Sequence, residues 1–428
     1  MTLREAARSI FDSALAGAAV RPLALKALAG VRLPDVGRLI VVGAGKASGA
    51  MAAAVEETWG ERVADGLVAV KDGYGAPTRR IRMVEAGHPV PDERGAAAAR
   101  EIHALARSAG ADDLVLVLIS GGGSALIPAP ASPVTLADKQ AVTRLLLAAG
   151  ANINQLNAVR KHCSLLKGGQ LVRAAAPARV HALILSDVIG DPLDVIASGP
   201  TAPDASTFAE ALAILDRFGL RPQAPRAVVE RLEQGVRGQI PKTPKPEDPI
   251  FARVTNAVIG NNALVVDAAA SQAAVAGYTP HVLTRSLEGE AREVAKDWVK
   301  MARAIRAGQG PVRPPACVIA GGETTVTVRG GGTGGRCQEF ALAAALAMEG
   351  LDGAVILAAG TDGTDGPTSA AGAVADGRSA PRAREQRYDP AARLADNDSN
   401  RVFAALGDLV VTGPTNTNLL DLYLLLVT

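Results

Sequence analysis

The stretch from Leu114 to Ile127 constrains the fold more than any other part of this 428-residue chain. Six apolar residues, Leu114 to Ile119, follow two aspartates without a polar interruption. Such a run is typical of a strand that is buried on both faces of a parallel sheet. The run passes directly into a segment with three consecutive glycines. We therefore predict a buried strand that ends in a sharp turn.

The glycines of this turn can bring successive backbone N–H groups close to a ligand, because residues without Cβ reach positive φ. An anion suits such a loop, particularly where a helix begins directly after it. A tight strand-to-helix turn without a ligand is the alternative, but one turn does not need three glycines. The predicted anion-binding residues are Ser120, Gly121, Gly122, Gly123 and Ser124.

A second glycine turn, GAGKASG at residues 43–49, follows the short apolar strand predicted over residues 38–42. A dinucleotide fingerprint would need glycine where Ser48 stands, and a P-loop would need residues that positions 40 and 47 lack. Lys46 nevertheless places a compact positive charge at a strand end, where doubly wound sheets bind ligands. A surface lysine in a packing turn is the alternative interpretation.

Strand and helix signals alternate along the chain, which predicts parallel βαβ units with right-handed crossovers. Residues 152–167 are predicted to form one helix, whose polar face gathers Asn157, Arg160, Lys161 and Lys167; solvation is the default explanation for such a face. Prolines cluster in residues 221–249, as in a linker, and a second series of strands and helices follows. The sequence thus predicts two α/β domains, residues 1–235 and 250–428.

Carboxylates cluster in two turns that follow buried strands, at residues 187–194 and 362–365. Acidic side chains beside glycine and proline at strand ends are placed as magnesium ligands usually are. Helix capping is the alternative use of such residues. The candidate Mg²⁺ ligands are Asp187, Asp191, Asp362 and Asp365.

Composition excludes several classes of function. The formal charge is +2 and no basic tract alternates with aromatic residues, which argues against a nucleic-acid partner. The three cysteines lack metal or redox spacing, which favours a reduced cytosol. The N-terminal residues include acids and no apolar run approaches the length of a membrane span. We therefore expect a soluble, cytoplasmic protein.

The chemical inventory of the chain favours phosphoryl transfer. That reaction depends on positioning and on charge neutralisation, for which glycine loops, acidic turns and fixed cations are suited. Lys46 is one candidate cation, and Arg336, which follows five glycines in residues 330–335, is the other. A G-x-S-x-G elbow, a metal-spaced His/Cys set and a complete nicotinamide fingerprint are all absent from the sequence.

Nine motifs in order carry a resemblance that spans nearly the whole chain. They are GAGKASGAM (43–51), HPVPDERG (88–95), LISGGGSAL (118–126), LNAVRKHCSLLKGGQLV (156–172), LSDVIGDPLDVIASGPT (185–201), AGGETTVTV (320–328), GGRCQEFAL (334–342), AAGTDGTDGPT (358–368) and TGPTNTN (412–418). With them the chain resembles the MOFRL-type glycerate 2-kinases, many of which also carry the name hydroxypyruvate reductase.

The resemblance implies that ATP phosphorylates the 2-hydroxyl of D-glycerate. It implies a Rossmann-like parallel-sheet domain, a second α/β domain with a mixed sheet, and an active site in the cleft between the domains. By motif position, Lys46 and Arg336 correspond to the family's proposed catalytic cations. Cys337 departs from the asparagine that the family usually has after this arginine.

We therefore expect residues 120–124, with Lys161 and Lys167, to bind the phosphates of ATP. The four aspartates named above are expected to hold Mg²⁺ or to accept the hydroxyl proton. Asp187 is also assigned to catalysis, while the sequence leaves open which aspartate is the general base. An NAD(P)H-dependent hydroxypyruvate reductase is the alternative, supported by the incomplete glycine fingerprint and by Asp72 after the second strand. A non-enzymatic sugar-acid binding protein is a third class. The sequence leaves the oligomeric state open, with a homodimer as one option.

Overall fold

The structure, a computed structural model, describes residues 1–35 and 37–428. It divides into two compact units, which we call the parallel-sheet unit, residues 20–259, and the mixed-sheet unit, residues 1–19 with 260–428. This division differs from the expected one. The first helix is grouped with the mixed-sheet unit, and the proline-rich residues 236–249 are grouped with the parallel-sheet unit.

Twelve strands and sixteen α-helices form these units in the described part of the chain. The strands are β1 Leu39–Ala44, β2 Val63–Lys71, β3 Arg82–Ala86, β4 Leu114–Ile119, β5 Arg179–Leu185, β6 Val254–Gly260, β7 Thr279–Leu287, β8 Ala316–Gly322, β9 Ala354–Gly360, β10 Gly372–Asp376, β11 Leu409–Val410 and β12 Asp421–Val427. The helices are α1 Leu3–Gly17, α2 Val20–Leu28, α3 Ser48–Trp59, α4 Glu93–Arg107, α5 Gly123–Leu126, α6 Leu136–Ala148, α7 Ile153–His162, α8 Gln170–Ala175, α9 Phe208–Arg217, α10 Arg226–Val236, α11 Asn262–Val275, α12 Ala291–Arg306, α13 Arg336–Ala347, α14 Ser379–Glu385, α15 Pro390–Ala395 and α16 Ser399–Leu406.

The sheet of the parallel-sheet unit has the order β3-β2-β1-β4-β5-β6. The pairs β3–β2, β2–β1, β1–β4 and β4–β5 are parallel. This is the strand order of a Rossmann-type doubly wound sheet. The succession of strands across the sheet changes direction between β1 and β4. All six residues of β1 and all six of β4 are buried. The predicted central strand and the Rossmann-like α/β fold are confirmed.

The helices of this unit begin at residues that satisfy their first N–H groups. Asp92 caps α4 by accepting a hydrogen bond from the Gly95 N–H at 2.9 Å. Thr135 forms a capping box with Asp138 at the start of α6. Such caps fix where each helix begins and therefore how long the loop from the preceding strand is.

The single helix predicted over residues 152–167 is wrong, because α7 ends at His162. The chain then pairs Ser164 with Pro130 in an isolated bridge, and the Leu165 N–H donates to the Ala129 carbonyl at 2.9 Å. Helical periodicity could not anticipate these partners from a distant segment. Lys167 therefore does not share a helical face with Lys161, as the sequence pattern had indicated.

The mixed-sheet unit contains a sheet of order β11-β10-β9-β12-β8-β7. The β7–β8 pair is parallel and the other four pairs are antiparallel. Its core includes Trp298, whose ring meets Phe340 edge-on with centroids 5.6 Å apart. The predicted mixed sheet is confirmed, and the terminal segment is a buried strand.

A helix must be long and apolar to cross a bilayer. No helix among residues 1–35 and 37–428 meets the requirements for crossing a bilayer.

Candidate active site

Two glycine turns meet at the point where the parallel sheet reverses direction. Ala44 of β1 lies beside Ile119 of β4, so both turns leave the same edge of the sheet. The Ser120 Oγ accepts from the Ala47 N–H at 2.9 Å, and the Lys46 N–H donates to the Gly121 carbonyl at 2.9 Å. These bonds join the turns into one structure that lies where doubly wound sheets bind ligands.

The close approach of the turns requires glycine at position 45. Gly45 has φ +146°, and a Cβ there would lie 2.1 Å from the Ser120 Oγ. A second constraint acts at Gly122, whose φ is +86° and whose Cβ would lie 3.0 Å from the His88 ring. Side chains at either position would separate the turns or displace the histidine, so the glycines serve packing as well as conformation.

Ser124 connects the glycine loop to the segment that follows α7. The buried Lys167 Nζ donates to the Ser124 carbonyl at 2.8 Å and to its Oγ at 2.9 Å. The Ser124 Oγ also lies 3.0 Å from the Ser198 Oγ, which donates to the Asn157 Oδ1 at 2.9 Å. Lys167 is thus beside the loop, as expected, and burial holds the pKa of its amine well below the usual value.

Sequence reasoning did not select Ser198 as a site residue. Its backbone has φ +62° between Ala197 at +50° and Gly199 at +64°. Positive φ is costly for residues with a Cβ and is concentrated at functional sites. Of these three residues, only Gly199 could be expected from the sequence to adopt a positive φ.

The glycine loop contributes N–H groups rather than a long helix. The α5 helix spans only Gly123–Leu126, so a substantial helix dipole is absent. The Gly123 N–H donates to the Ser120 carbonyl at 3.2 Å. Across residues 1–35 and 37–428, no backbone carbonyl accepts from the N–H of Gly121 or Gly122. These two donors are the parts of the loop suited to an anion.

Lys161, the other predicted phosphate-binding lysine, has different neighbours. Its Nζ lies 3.2 Å from the Asp194 Oδ2 and 3.4 Å from the Asp204 Oδ1. The three residues line a separate cavity of about 420 Å³. Two carboxylates therefore already compensate the Lys161 charge, whereas Lys167 contacts the glycine loop.

The acidic turn after β5 lies at the same edge of the sheet as the glycine turns. Ile119 of β4 pairs with Ile184 of β5, and Asp187 follows β5 after one further residue. Asp187 and Asp191 are half-buried, and Asp191 has φ +54°. Parallel strands bring their carboxyl ends to one edge, so this turn belongs to the same part of the unit.

Arg336 lies at the start of α13 in the mixed-sheet unit. Its Nε and Nη2 donate to the two Asp421 carboxylate oxygens at 2.6 and 2.9 Å, and its Nη1 lies 2.7 Å from the Glu323 Oε1. Burial alone would lower the pKa of Arg336, but the Asp421 carboxylate more than offsets this and raises it. The fork geometry fixes the orientation of the guanidinium.

Asp421 was not predicted as a site residue, because its sequence position shows only the start of a strand. Its side chain is 1% exposed. The Tyr423 hydroxyl donates to the Asp421 Oδ2 at 3.1 Å and lies 2.9 Å from the Thr324 Oγ1. Asp421 therefore orients Arg336 from a buried position that only the sheet pairing creates.

Asp365, one predicted magnesium ligand, is a helix cap. Its carboxylate accepts from the N–H groups of Cys337 and Gln338 at 3.1 and 2.9 Å, and from the Gln338 Nε2 at 3.0 Å. Burial raises the pKa of Asp365 to about 7, although the backbone donors act in the opposite direction. These contacts aim both oxygens at the start of α13.

Asp362 also makes local bonds. Its Oδ1 accepts from the Thr364 N–H and from the Thr364 Oγ1, both at 3.0 Å. Within the described residues, no group of three or more His, Cys, Asp or Glu is placed to hold a metal ion.

Cys337, the departure from the family pattern, is fully buried in the core of the mixed-sheet unit. Burial raises the pKa of its thiol well above the usual value. The nearby carboxylates of Asp421 and Asp365 act in the same direction, so the thiol stays neutral beside these two acids.

The order of the parallel sheet and the glycine turns at its reversal point define a Rossmann-like α/β protein. Residues 6–233 match a domain of unknown function, DUF4147, and residues 316–421 match the MOFRL family. The sequence is 42% identical to a D-glycerate 2-kinase from Thermotoga maritima, over 92% of this chain and 91% of that protein. It is 44% identical to an Agrobacterium vitis protein provisionally named hydroxypyruvate reductase, over 100% of this chain and 95% of that protein.

The fold comparison agrees with the sequence comparison. The crystal structure of a glycerate kinase from Thermotoga maritima matches with a TM-score of 0.90 and 39% identity, covering 100% of this chain and 99% of that one. The chain belongs to the MOFRL-type glycerate kinase family.

Proposed function

We propose that this protein is a glycerate 2-kinase, which transfers the terminal phosphoryl group of ATP to the 2-hydroxyl of D-glycerate. The observation that carries the proposal is the pair of joined glycine turns at the reversal point of a Rossmann-type sheet, in a chain whose relatives include named glycerate kinases. Phosphoryl transfer depends on positioning and on electrostatic stabilisation, and these turns supply donors for both.

The first part of the mechanism is nucleotide binding by the parallel-sheet unit. The N–H groups of Gly121 and Gly122 and the Lys167 amine would hold phosphate oxygens, since charge-assisted hydrogen bonds to phosphate are strong. Lys161 contributes less in this proposal, because Asp194 and Asp204 already neutralise it.

The second part is the chemical step. The 2-hydroxyl oxygen attacks the terminal phosphorus, the bond from that phosphorus to the bridging oxygen breaks, and the hydroxyl proton passes to a carboxylate. Asp187 is the proposed acceptor, because it lies in the turn at the ligand-binding edge of the sheet. In a loose transition state the proton of the attacking hydroxyl leaves only late. A carboxylate is therefore a strong enough base.

The third part is neutralisation of charge on the transferring group. We assign this role to Lys46 and Arg336. Lys46 follows β1 at the reversal point of the sheet and is only 9% exposed. The Arg336 guanidinium, held by Asp421 and Glu323, is 33% exposed and keeps N–H groups for an anionic ligand.

Magnesium belongs to the proposal as a partner of the nucleotide. Mg²⁺ commonly keeps several waters and binds through one or two carboxylates together with substrate phosphates. Because the described residues contain no cluster of three suitable ligands, we propose that the ion enters with ATP.

The reductase alternative is less well supported by the site. A dinucleotide fold would use an acid after the second strand to bind ribose. Asp72, which occupies that position, forms a bidentate pair with Arg94 at 2.6 and 2.9 Å. The Ser48 hydroxyl stands where the fingerprint has glycine, and it donates to the Leu118 carbonyl at 3.1 Å.

A pair of assays tests the proposal. We expect ADP release from D-glycerate with Mg-ATP, and 2-phosphoglycerate as the product in phosphorus NMR. We expect no loss of NADH or NADPH absorbance with hydroxypyruvate. Reduction of hydroxypyruvate without ADP release would replace the kinase by the reductase, and 3-phosphoglycerate would disprove the assignment of position 2.

A further inference from the structure

A cavity of about 400 Å³ opens beside the glycine loop, within the parallel-sheet unit. Gly122 and Ser124 line it, so the cavity is continuous with the loop. The remaining walls come from residues 88–91, from α6 and from residues around the end of α7. Its volume lies within the range of small-molecule sites.

Four cationic side chains line this cavity: the exposed Arg144, and three others that converge on it from three different segments. Lys139 comes from α6, Arg160 from α7 and Lys167 from the segment before α8. Lys139 is 6% exposed and Lys167 is 1% exposed. The helical pattern predicted for residues 152–167 groups Arg160 with Lys167, but no sequence pattern adds Lys139, because its position depends on the packing of α6 beside α7.

Protein carboxylates do not compensate this cluster. Among residues 1–35 and 37–428, no Asp or Glu forms an ion pair with Lys139, Arg160 or Lys167. Lys139 donates to the Pro128 carbonyl, and Lys167 donates to Ser124. Buried cations are normally paired, because desolvation without a counter-charge is costly.

Other cations of the same chain follow that rule. The buried Lys161 meets Asp194 and Asp204, and the half-buried Arg336 meets Asp421. The cavity cluster is therefore a local exception rather than a general property of this protein. The presence of two buried amines and a guanidinium around one open space is explained if an anion occupies that space.

The shape of the cavity indicates a large anion with an apolar part. Apolar atoms dominate its surface, with contributions from Pro89, Pro91, Ala125, Pro128 and Leu147. A single carboxylate would neither fill about 400 Å³ nor match three cations. A polyphosphate joined to a nucleoside matches both the charge and the apolar wall.

We propose that Lys139, Arg160 and Lys167 bind the polyphosphate chain of the nucleotide in this cavity. The inference rests on the proposed kinase function, and it adds Lys139, Arg160 and the cavity to the glycine loop. It also defines a direction for the nucleotide, whose phosphates run from the glycine loop along the cationic wall.

Titration calorimetry on the full-length protein tests the proposal directly. The probes are inorganic tripolyphosphate, ADP and adenosine, each titrated into wild type and into Lys139→Met and Arg160→Gln variants. We expect both variants to bind tripolyphosphate and ADP at least about tenfold more weakly, because each loses one charge-assisted contact. Lys26→Met, an exposed substitution on α2 of the same unit, should leave both affinities within about twofold.

Proton uptake on ligand binding is a second measurement. It would not depend on Lys139 if this residue served only to stabilise the fold. Burial holds the pKa of Lys139 at about 7, with Arg160 and Arg231 nearby lowering it and the Cys163 thiol acting in the opposite direction. An anion should restore the charge, so tripolyphosphate binding at pH 8 should take up protons. Calorimetry in two buffers of different ionisation enthalpy should show less uptake for Lys139→Met.

Steady-state kinetics relates the cavity to catalysis. In the variants we expect the KM for ATP to rise at least about tenfold, while the KM for D-glycerate stays within about twofold. Unchanged tripolyphosphate and ADP affinities in both variants would overturn the proposal. Loss of adenosine affinity alone would also overturn it, because the cations would then act on the nucleoside.

The outcomes separate this inference from the proposed function. If wild type releases ADP with D-glycerate but both variants keep the ATP KM, the cavity assignment fails and the kinase assignment stands. If wild type shows no kinase activity, the kinase assignment fails. The tripolyphosphate titration then still decides whether the cationic cavity binds polyphosphate.

Discussion

The cations of the two units are stabilised in opposite ways. In the mixed-sheet unit, Arg336 is held by Asp421 and Glu323, and a tyrosine hydroxyl supports Asp421. In the parallel-sheet unit, Lys139 and Lys167 are buried, and the partners found for them among the described residues are carbonyl and hydroxyl oxygens. The first arrangement orients a guanidinium before any ligand arrives, and the second leaves positive charge for a ligand to neutralise.

This difference shows how one protein can hold one cation in a fixed orientation and keep other cations available to bind an anion. A fully paired guanidinium contributes to the stability of its own unit and presents a fixed donor. Buried amines without counter-ions reduce stability and gain most from a bound anion. Each of the following predictions tests one side of that contrast, beginning with the largest expected effect.

Arg336→Ala should lower the free energy of unfolding by about 3 kcal/mol, because it leaves the Asp421 carboxylate buried without its counter-ion. Thermal and urea denaturation should show this loss. The double variant Arg336→Ala with Asp421→Asn should lose less than the sum of the two single changes. Additive losses would mean that the ion pair does not stabilise the mixed-sheet unit.

Lys46→Ala should reduce kcat on the order of a hundredfold, about 2.7 kcal/mol of transition-state stabilisation, with an unchanged circular dichroism spectrum. Steady-state assays with D-glycerate and Mg-ATP provide the measurement. Lys300→Ala, which removes an exposed lysine paired with Asp297, is the control and should keep wild-type turnover. Near-normal kcat in Lys46→Ala would remove this residue from the mechanism.

Asp365→Asn should abolish a pH dependence of stability. The folded-state pKa of Asp365 is about 7 against an ordinary value of 3.8, so the folded state binds the extra proton between these values. Its contribution is present below pH 4 and is lost progressively as pH rises through 7. Melting temperatures from pH 4 to pH 8 should fall more steeply for wild type than for the variant; parallel curves would contradict the assignment.

Lys139→Met should stabilise the ligand-free protein by about 1 kcal/mol at pH 6. The pKa of Lys139 is about 7 in the folded state against 10.5, so its unfavourable effect is complete below pH 7 and disappears as pH rises toward 10.5. Denaturation at pH 6 and pH 9 should show that the variant gains more unfolding free energy, relative to wild type, at pH 6. Destabilisation at pH 6 would mean that the buried Lys139 amine stabilises the folded protein. That result would contradict the contrast between the two units.

Much of the fold was predictable from local sequence. The apolar run at residues 114–119 predicts a strand, and its glycines predict the turn that the structure forms. The alternation of elements predicts parallel crossovers, because strand and helix periodicities differ. The division of the chain was less predictable, since the proline-rich residues 236–249 belong to the parallel-sheet unit.

The candidate site was only partly predictable. Lys167 lies beside the glycine loop although the helix expected to carry it ends at His162. Lys161 was chosen by the same pattern, yet it pairs with Asp194 and Asp204 in another cavity. Asp365 was predicted from its place after a strand, but its oxygens cap α13. Position after a strand does not show which donors a carboxylate will meet.

The sequence by itself determined the elements of this protein, because backbone sterics and apolar periodicity act over a few neighbouring residues. It also determined which side chains carry charge and where glycine permits close contacts. Only the tertiary structure decided which charges are compensated, since Lys139, Arg160 and Lys167 converge from separate segments while Arg336 meets Asp421 85 residues away. Electrostatic energies depend on distance and burial in space, and neither quantity is written in the order of the residues.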